Sequence, residues 1–283
     1  MTRLFKAACV QTSSAREFQP NIEAVGADIR RARDAGAEFI LTPEVVGMFE
    51  PIRARHLEKA TDEAGNPVLA AFRDIARETG AWLLIGSLAI RVSETKLANR
   101  SFLVDPAGAI VARYDKIHMF DVEIGDGQSY RESALYQPGD TAVTAELPWG
   151  RLGMTICYDL RFPYLYRALA QVGAEFLSIP SAFTAPTGAA HWQVLMRARA
   201  IETGSYVLAP AQCGTHAEGR RTYGHSIIVA PWGEVLAEAG DETGFVIAEI
   251  DLARVAEARR KIPSLSHDRC FAGPTKARGL AAE

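Results

Sequence analysis

Three side chains that could together carry out an acyl transfer each follow a strand-like segment. Cys157 closes the apolar run Leu152–Cys157, and Pro163, suited to the first turn of a helix, follows shortly after. Glu44 comes after Phe39-Ile-Leu-Thr-Pro43, where the proline keeps Thr42 extended and carries the glutamate past the strand end. Lys116 comes just past Val111-Ala-Arg-Tyr-Asp115. A thiol attacks a carbonyl only once a base takes its proton, and the oxygen it attacks gains a negative charge that a cation can hold. Thiol, carboxylate and ammonium are those three parts. Taken singly, each has a plainer reading: a small hydrophobe, a loop or helix-dipole acid and a surface lysine. Ligands in open α/β sheets gather beyond the carboxyl ends of strands, so three such ends make the joint reading geometrically sound. The strand-to-helix elbow is expected to present Cys157 to solvent and to leave the Tyr158 N–H free for an oxyanion.

The elements that must position these groups recur along the whole chain. Strand-like runs are expected at 5–10, 38–42, 81–90, 101–104, 108–113, 152–157, 175–179, 205–210, 226–229, 234–237 and 245–250. Asp105-Pro-Ala-Gly108, Leu147-Pro-Trp-Gly150 and Ala230-Pro-Trp-Gly233 signal hairpins and hence antiparallel pairs within mixed sheets. Helical spacing appears at Ile22, Val25, Ile29 and Ala32, and again at Leu69, Phe72, Ile75 and Ala76 before Gly80. A third helix is expected from Pro163 and a fourth over 191–202, where His191-Trp192 reads as a packing and hydrogen-bonding element at the helix start. The class is α/β, with two mixed sheets flanked by helices. No linker, charge run or strict internal repeat appears, so the 283 residues read as one domain with a core over about 3–262 and an extended arm over 263–283. Segments 115–140, including Asp126, and 211–224 lack clear periodicity and are expected to wall the site.

Composition removes several classes. With 48% hydrophobic and 23% charged residues the chain is of ordinary globular type. A net charge of -3 and the lack of a Lys/Arg run speak against nucleic acid as a partner. No apolar run reaches the roughly 18 residues of a membrane helix, and no export signal precedes the first strand. The four cysteines form no C-x-x-C pair and are expected to be reduced in a cytoplasmic setting, with Cys9 and Cys213 in the core. The six histidines show no i,i+4 pair, and no phosphate loop or dinucleotide fingerprint occurs, so no metal or other cofactor is expected.

Thr42-Pro-Glu44, Tyr114-Asp-Lys-Ile-His118 and Gly153-Met-Thr-Ile-Cys-Tyr-Asp-Leu-Arg-Phe-Pro163 resemble the three signature blocks of the carbon–nitrogen hydrolase (nitrilase) superfamily, over residues 3 to about 269. The resemblance implies a Glu44–Lys116–Cys157 triad, with Glu132 in Tyr130-Arg-Glu-Ser133 as a second glutamate near the nucleophile. It implies a four-layer α-β-β-α sandwich and a homodimer or larger homo-oligomer. Asp115–Glu123, Pro180-Ser-Ala-Phe-Thr184, Arg197–Glu202, Ala211–Gly214 and Tyr223–Ser226 resemble the Nit branch, and among its members those that cleave deaminated glutathione to 2-oxoglutarate and cysteinylglycine. Tyr158, Arg161, Ser181 and Phe183 are the substrate-binding candidates. The Arg161 guanidinium could hold a substrate carboxylate or pair locally with Asp159. The same triad serves ω-amidases and N-carbamoyl-amino-acid amidohydrolases, and a catalytically silent binding or scaffold protein could share the fold.

Overall fold

The structure, a computed structural model, describes residues 4–125 and 129–273. The first half of the chain runs β1 (Leu4–Gln11), α1 (Phe18–Asp34), β2 (Phe39–Leu41), α2 (Arg53–Lys59), α3 (Pro67–Thr79), β3 (Trp82–Arg91), β4 (Leu97–Val104) and β5 (Ile110–Asp115). A small hairpin, β6 (Asp121–Glu123) with β7 (Ser129–Arg131), leads to β8 (Val143–Glu146). The second half runs β9 (Arg151–Met154), α4 (Pro163–Gln171), β10 (Phe176–Ser178), α5 (Ala185–Thr203) and β11 (Tyr206–Ala209). A second small hairpin, β12 (Cys213–Thr215) with β13 (Arg221–Tyr223), precedes β14 (Ile227–Val229), β15 (Val235–Glu238), β16 (Gly244–Asp251) and α6 (Ala253–Lys261).

Two six-stranded mixed sheets result, ordered β16-β1-β2-β3-β4-β5 and β15-β14-β11-β10-β9-β8. Side-chain alternation builds the layers. On β1, Ala8 and Val10 join Ile40, Leu83 and the α1 and α3 residues Val25, Ile29 and Phe72 in one apolar cluster. Ala7 and Cys9 point the other way, into a cluster with Leu41, Leu84 and the second sheet's Met154, Phe176 and Leu208. That second cluster continues to Leu165, Leu169 and Trp192 on α4 and α5. The order is therefore helix, sheet, sheet, helix, with Phe176 packed against Phe5 and Phe39 across the sheet interface.

The two halves repeat one another, which simple periodicity does not reveal. The order β1-β2-β3-β4-β5 matches β9-β10-β11-β14-β15, and in each half the first three strands are parallel and the last two antiparallel. Gly36-Ala-Glu-Phe39 and Gly173-Ala-Glu-Phe176 are copies that turn α1 into β2 and α4 into β10. Both glycines lie at left-handed φ, 95° and 97°, where a Cβ would strain the backbone. Hairpins 105–108 and 230–233 close with the same 2.9 Å bonds, Gly108 N–H to Asp105 O and Gly233 N–H to Ala230 O.

Several expected boundaries move. β9 ends at Met154, before Cys157, because the chain turns into a short 3₁₀ helix over Cys157–Arg161. α5 starts at Ala185, so His191 lies inside it; Pro186 in its first turn was the missed signal. Trp192 is buried and donates to His225 O at 2.7 Å, a packing and hydrogen-bonding role. Both segments without periodicity contain a small hairpin, and α2 and α6 were not foreseen; β8 is the first arm of the hairpin expected across 147–150. The arm from 263 begins with a 3₁₀ turn and is tied back to α4, where Arg167 Nε donates to Asp268 at 3.1 Å. Its continuation over 274–283, like Asp126, lies outside the described residues.

Candidate active site

The three expected groups meet where strand ends from both sheets converge. Glu44 follows β2 and Lys116 follows β5 in the first sheet, while Cys157 follows β9 in the second. The Glu44 loop sits tightly against β3: a Cβ on Gly86 would lie 1.9 Å from Thr42 O and 2.5 Å from Pro43 O. Only glycine lets the Thr42–Glu44 backbone approach so closely. Cys157 opens its 3₁₀ turn at φ 49°, a left-handed value that L-residues rarely adopt, and its N–H is fixed on Pro180 O at 3.0 Å. The Tyr158 amide, in the first turn, has no acceptor within that turn.

The resulting cluster is buried. Glu44, Lys116 and Cys157 are 5%, 2% and 7% exposed, so the thiol lies at the floor of a cavity and is not presented to bulk solvent. The reason is the covering wall contributed by 45–56 and 129–136. Glu44 Oε1 accepts from Lys116 Nζ and Asn99 Nδ2, both at 2.9 Å, and Oε2 accepts from Ala182 N at 2.8 Å. Lys116 Nζ also reaches Glu132 Oε1 at 2.9 Å and Oε2 at 2.8 Å. Glu132 is held in turn by Phe120 N at 2.6 Å and by Asn99 Nδ2 at 3.2 Å. Asn99, on β4, thus links the two carboxylates; no motif in the sequence marked it.

The electrostatics fix the resting protonation. Burial alone would raise Glu44, but the Lys116 charge and hydrogen bonds from Cys157, Lys116 and Asn99 hold it below the ordinary carboxylate value. Burial would lower Lys116, yet the charges of Glu132 and Glu44 keep it well above its usual value. Burial and then the Glu44 charge push the Cys157 thiol well up, against the pull of Lys116. These shifts describe a neutral thiol in the field of an ionised carboxylate and an ammonium. A nucleophile with its base nearby forms a thiolate only as the proton moves.

The cavity above the cluster has a volume of about 300 Å³. Tyr158 and Phe183 line it as expected. Ser181 does not: it is fully buried and its hydroxyl donates to Ile179 O at 3.0 Å, which serves the backbone turn after β10. Arg161 lies outside the lining, with its guanidinium 6.0 Å from the Tyr158 ring centroid and 5.5 Å from that of Phe183. Nor does it pair with Asp159, whose carboxylate accepts from Tyr114 Oη at 2.6 Å, Ile156 N at 2.9 Å and His118 N at 3.0 Å. Segment 115–140 supplies much of the wall, while 211–224 supplies Arg220. The stretch 45–56 was not expected as a wall; its Gly47, Glu50-Pro51 and Arg53 mark a loop but not the cavity that it covers.

The carbon–nitrogen hydrolase family model matches residues 6–260. A Yersinia enterocolitica protein named deaminated glutathione amidase is 40% identical over 267 residues, 93% of this chain and 92% of its own length. Among solved structures, the Caenorhabditis elegans NitFhit protein superposes with a TM-score of 0.88 at 36% identity, covering 95% of this chain and 66% of that longer one. A mutant amidase from Nesterenkonia sp. AN1, with the acetamide moiety of fluoroacetamide covalently added at its active-site cysteine, gives a TM-score of 0.77 at 27% identity. That match covers 91% of this chain and 96% of the other.

Proposed function

Because the chain belongs to the carbon–nitrogen hydrolase family, we propose that its buried thiol, carboxylates and ammonium hydrolyse the amide of deaminated glutathione to 2-oxoglutarate and cysteinylglycine. The observation that carries the chemistry is the Glu44 carboxylate, bonded to the Lys116 ammonium at 2.9 Å, lining the same buried cavity as the Cys157 thiol. The substrate is supported by relatives of that name at about 40% identity over most of the chain.

Glu44 takes the Cys157 proton as sulfur bonds to the amide carbon. Charge develops on the carbonyl oxygen, where Lys116 and the Tyr158 N–H stabilise it. The C–N bond breaks as Glu44 returns its proton to the departing amine, leaving a thioester on Cys157. Water then attacks with Glu44 as base, the C–S bond breaks, and the proton returns to sulfur. Glu132 keeps Lys116 charged and aimed throughout. On this reading Arg161, whose guanidinium lies beside Tyr158 and Phe183 outside the cavity lining, takes the keto-acid end of the substrate. No described helix is long and apolar enough to cross a membrane, in keeping with a cytoplasmic enzyme. Exposed Val194 and Ile201 on α5 and Tyr164 on α4 offer an apolar face for a homodimer.

The test is kcat/KM for deaminated glutathione beside 2-oxoglutaramate, with Cys157→Ala as the control. A preference of about two decades or more for the former, some 3 kcal/mol, is expected. The reverse preference would make the enzyme an ω-amidase. Hydroxylamine should divert the thioester to a hydroxamate, and its absence together with no acyl mass on Cys157 would exclude covalent catalysis.

A further inference from the structure

Arg220 is the cation of the cavity that the proposed chemistry leaves without a role. It stands just before β13 and lines the same cavity as Cys157 and Glu44. Its guanidinium lies 5.0 Å from the Phe49 ring centroid and 5.2 Å from that of Tyr130. The backbone is anchored by His216 N donating to Arg220 O at 2.7 Å. Its buried Nε has no hydrogen-bond partner among the described residues, and the neighbouring acid Glu218 is taken by Arg16 at 2.8 Å. The other lining cations are engaged or remote: Lys116 by Glu44 and Glu132, Arg131 by Glu123, while Arg53 is exposed. A guanidinium seated on two ring faces keeps its planar edge of donors free for a carboxylate.

The surroundings say which end of a substrate it meets. Tyr130 contacts Phe120 at 5.0 Å, Phe120 contacts Tyr158 at 5.1 Å, and Tyr158 carries Arg161. Arg220 and Arg161 thus terminate one run of ring contacts that passes beside Cys157. Deaminated glutathione has a carboxylate at each end and its scissile amide between them. The departing nitrogen must face Glu44, which gives it a proton. The chain after Glu44 continues along the cavity wall through Val45 and Met48 to Phe49, the ring that bears Arg220.

We propose that Arg220 binds the terminal carboxylate of the leaving amine, the glycine end of cysteinylglycine, and so selects a long carboxylate-ended amide over a primary amide. This rests on the reading under Proposed function and names the residue that sets its leaving-group specificity.

The experiment compares wild type, Arg220→Gln and Arg220→Lys on three substrates: deaminated glutathione, its analogue with a carboxamide in place of the glycine carboxylate, and 2-oxoglutaramate. Losing a charge-assisted pair predicts that Arg220→Gln falls about 10- to 100-fold further on deaminated glutathione than on either of the others. Arg220→Lys, which keeps the charge but not the fork, should recover part of that selectivity. Equal losses on all three substrates would make Arg220 a packing or acyl-end residue, and either overturns the proposal. Wild type is read first: if it turns over 2-oxoglutaramate but not deaminated glutathione, the substrate reading itself has failed, a result distinct from any variant's.

Discussion

Replacing Glu44 by glutamine should separate the acidity of the thiol from the ability to use it. In the resting cluster Cys157 is held as a thiol, by burial first and then by the Glu44 charge. A unit charge about 4 Å away is worth on the order of 4 kcal/mol at an effective dielectric of 20, before the opposing pull of Lys116 is counted. Glu44→Gln removes that charge and leaves Lys116, so the thiol should ionise more easily than in the wild type. Alkylation of Cys157 by iodoacetamide at pH 7 should then be about tenfold faster or more. Turnover should move the other way, falling about 10²- to 10⁴-fold, because no group remains to carry the proton from sulfur to the leaving amine. Glutamine can accept at only one of the two positions now used, by Lys116 and Asn99 at one oxygen and by Ala182 N at the other. The unpaired donor costs about 1–3 kcal/mol of stability, so rates are compared on protein shown to be folded. The assay is the pH profile of alkylation beside kcat/KM on the same preparations. An unchanged alkylation rate would mean that the proton already rests on Glu44 in the wild type, and turnover within about tenfold would remove Glu44 as the base; either result refutes the reasoning.

Lys116→Met should leave Glu44 and Glu132 as buried neighbours without their shared cation; breaking such a network by one partner costs about 3–5 kcal/mol, read as a shift in the urea midpoint. The same variant should lose at least two decades in kcat, beyond what stability explains. Gly86→Ala puts a Cβ 1.9 Å from Thr42 O, so it should displace Glu44 or fail to fold, whereas an alanine at Gly240, with open space around it, should be silent in activity and melting temperature. His216 gives a pH signature: burial first, helped by the Arg220 charge and opposed by the bond to Ser14 O, lowers it from 6.5 to about 4. The unfolded chain binds a proton there below pH 6.5 while the folded one does not, so this stability is full above 6.5 and is lost as pH falls toward 4, up to about 3 kcal/mol. Urea midpoints at pH 7 and 4.5 should show that slope in the wild type and a smaller one in His216→Gln.

The parts of the site written in contiguous sequence were legible, and those assembled across strands were not. Glu44, Lys116 and Cys157 each sit at or just past the end of a recognisable apolar run, and their three types together, within contiguous signature blocks, were enough to choose them. Asn99 has no such mark: it lies in the middle of β4, a strand whose expected start at 101 falls short of it. Its value comes from register, since β4 pairs antiparallel with β5 and sets Arg100 opposite Asp115, and the next step brings Asn99 to Lys116, whose N–H donates to Asn99 O at 3.0 Å. Register is a property of pairs of strands, and a single strand does not state it. Arg220 was hidden in another way. Its neighbour in sequence is Arg221, on a polar hairpin, and only packing shows that one of the two turns inward onto Phe49 and Tyr130.

Ser181 shows why a motif alone can misplace a residue. By the repeat of strand order and of Gly-Ala-Glu-Phe, Thr42-Pro-Glu44 in the first half corresponds to Ile179-Pro-Ser181 in the second. Strand register makes the same match for Cys157: Met154 stands to Ser178 as Cys9 stands to Leu41, which sets Cys157 opposite Thr12. A fold built twice offers two places for each group, but a cysteine and its base must face one another across the sheets. One copy of each position therefore carries chemistry, and the other is free to serve the backbone. Thr12 and Ser181 do so: Thr12 donates to Gln212 Oε1 at 3.1 Å and Ser181 to Ile179 O. Gln212 in turn donates to Glu44 O at 3.0 Å, so the silent copy of the nucleophile position braces the loop that holds the base.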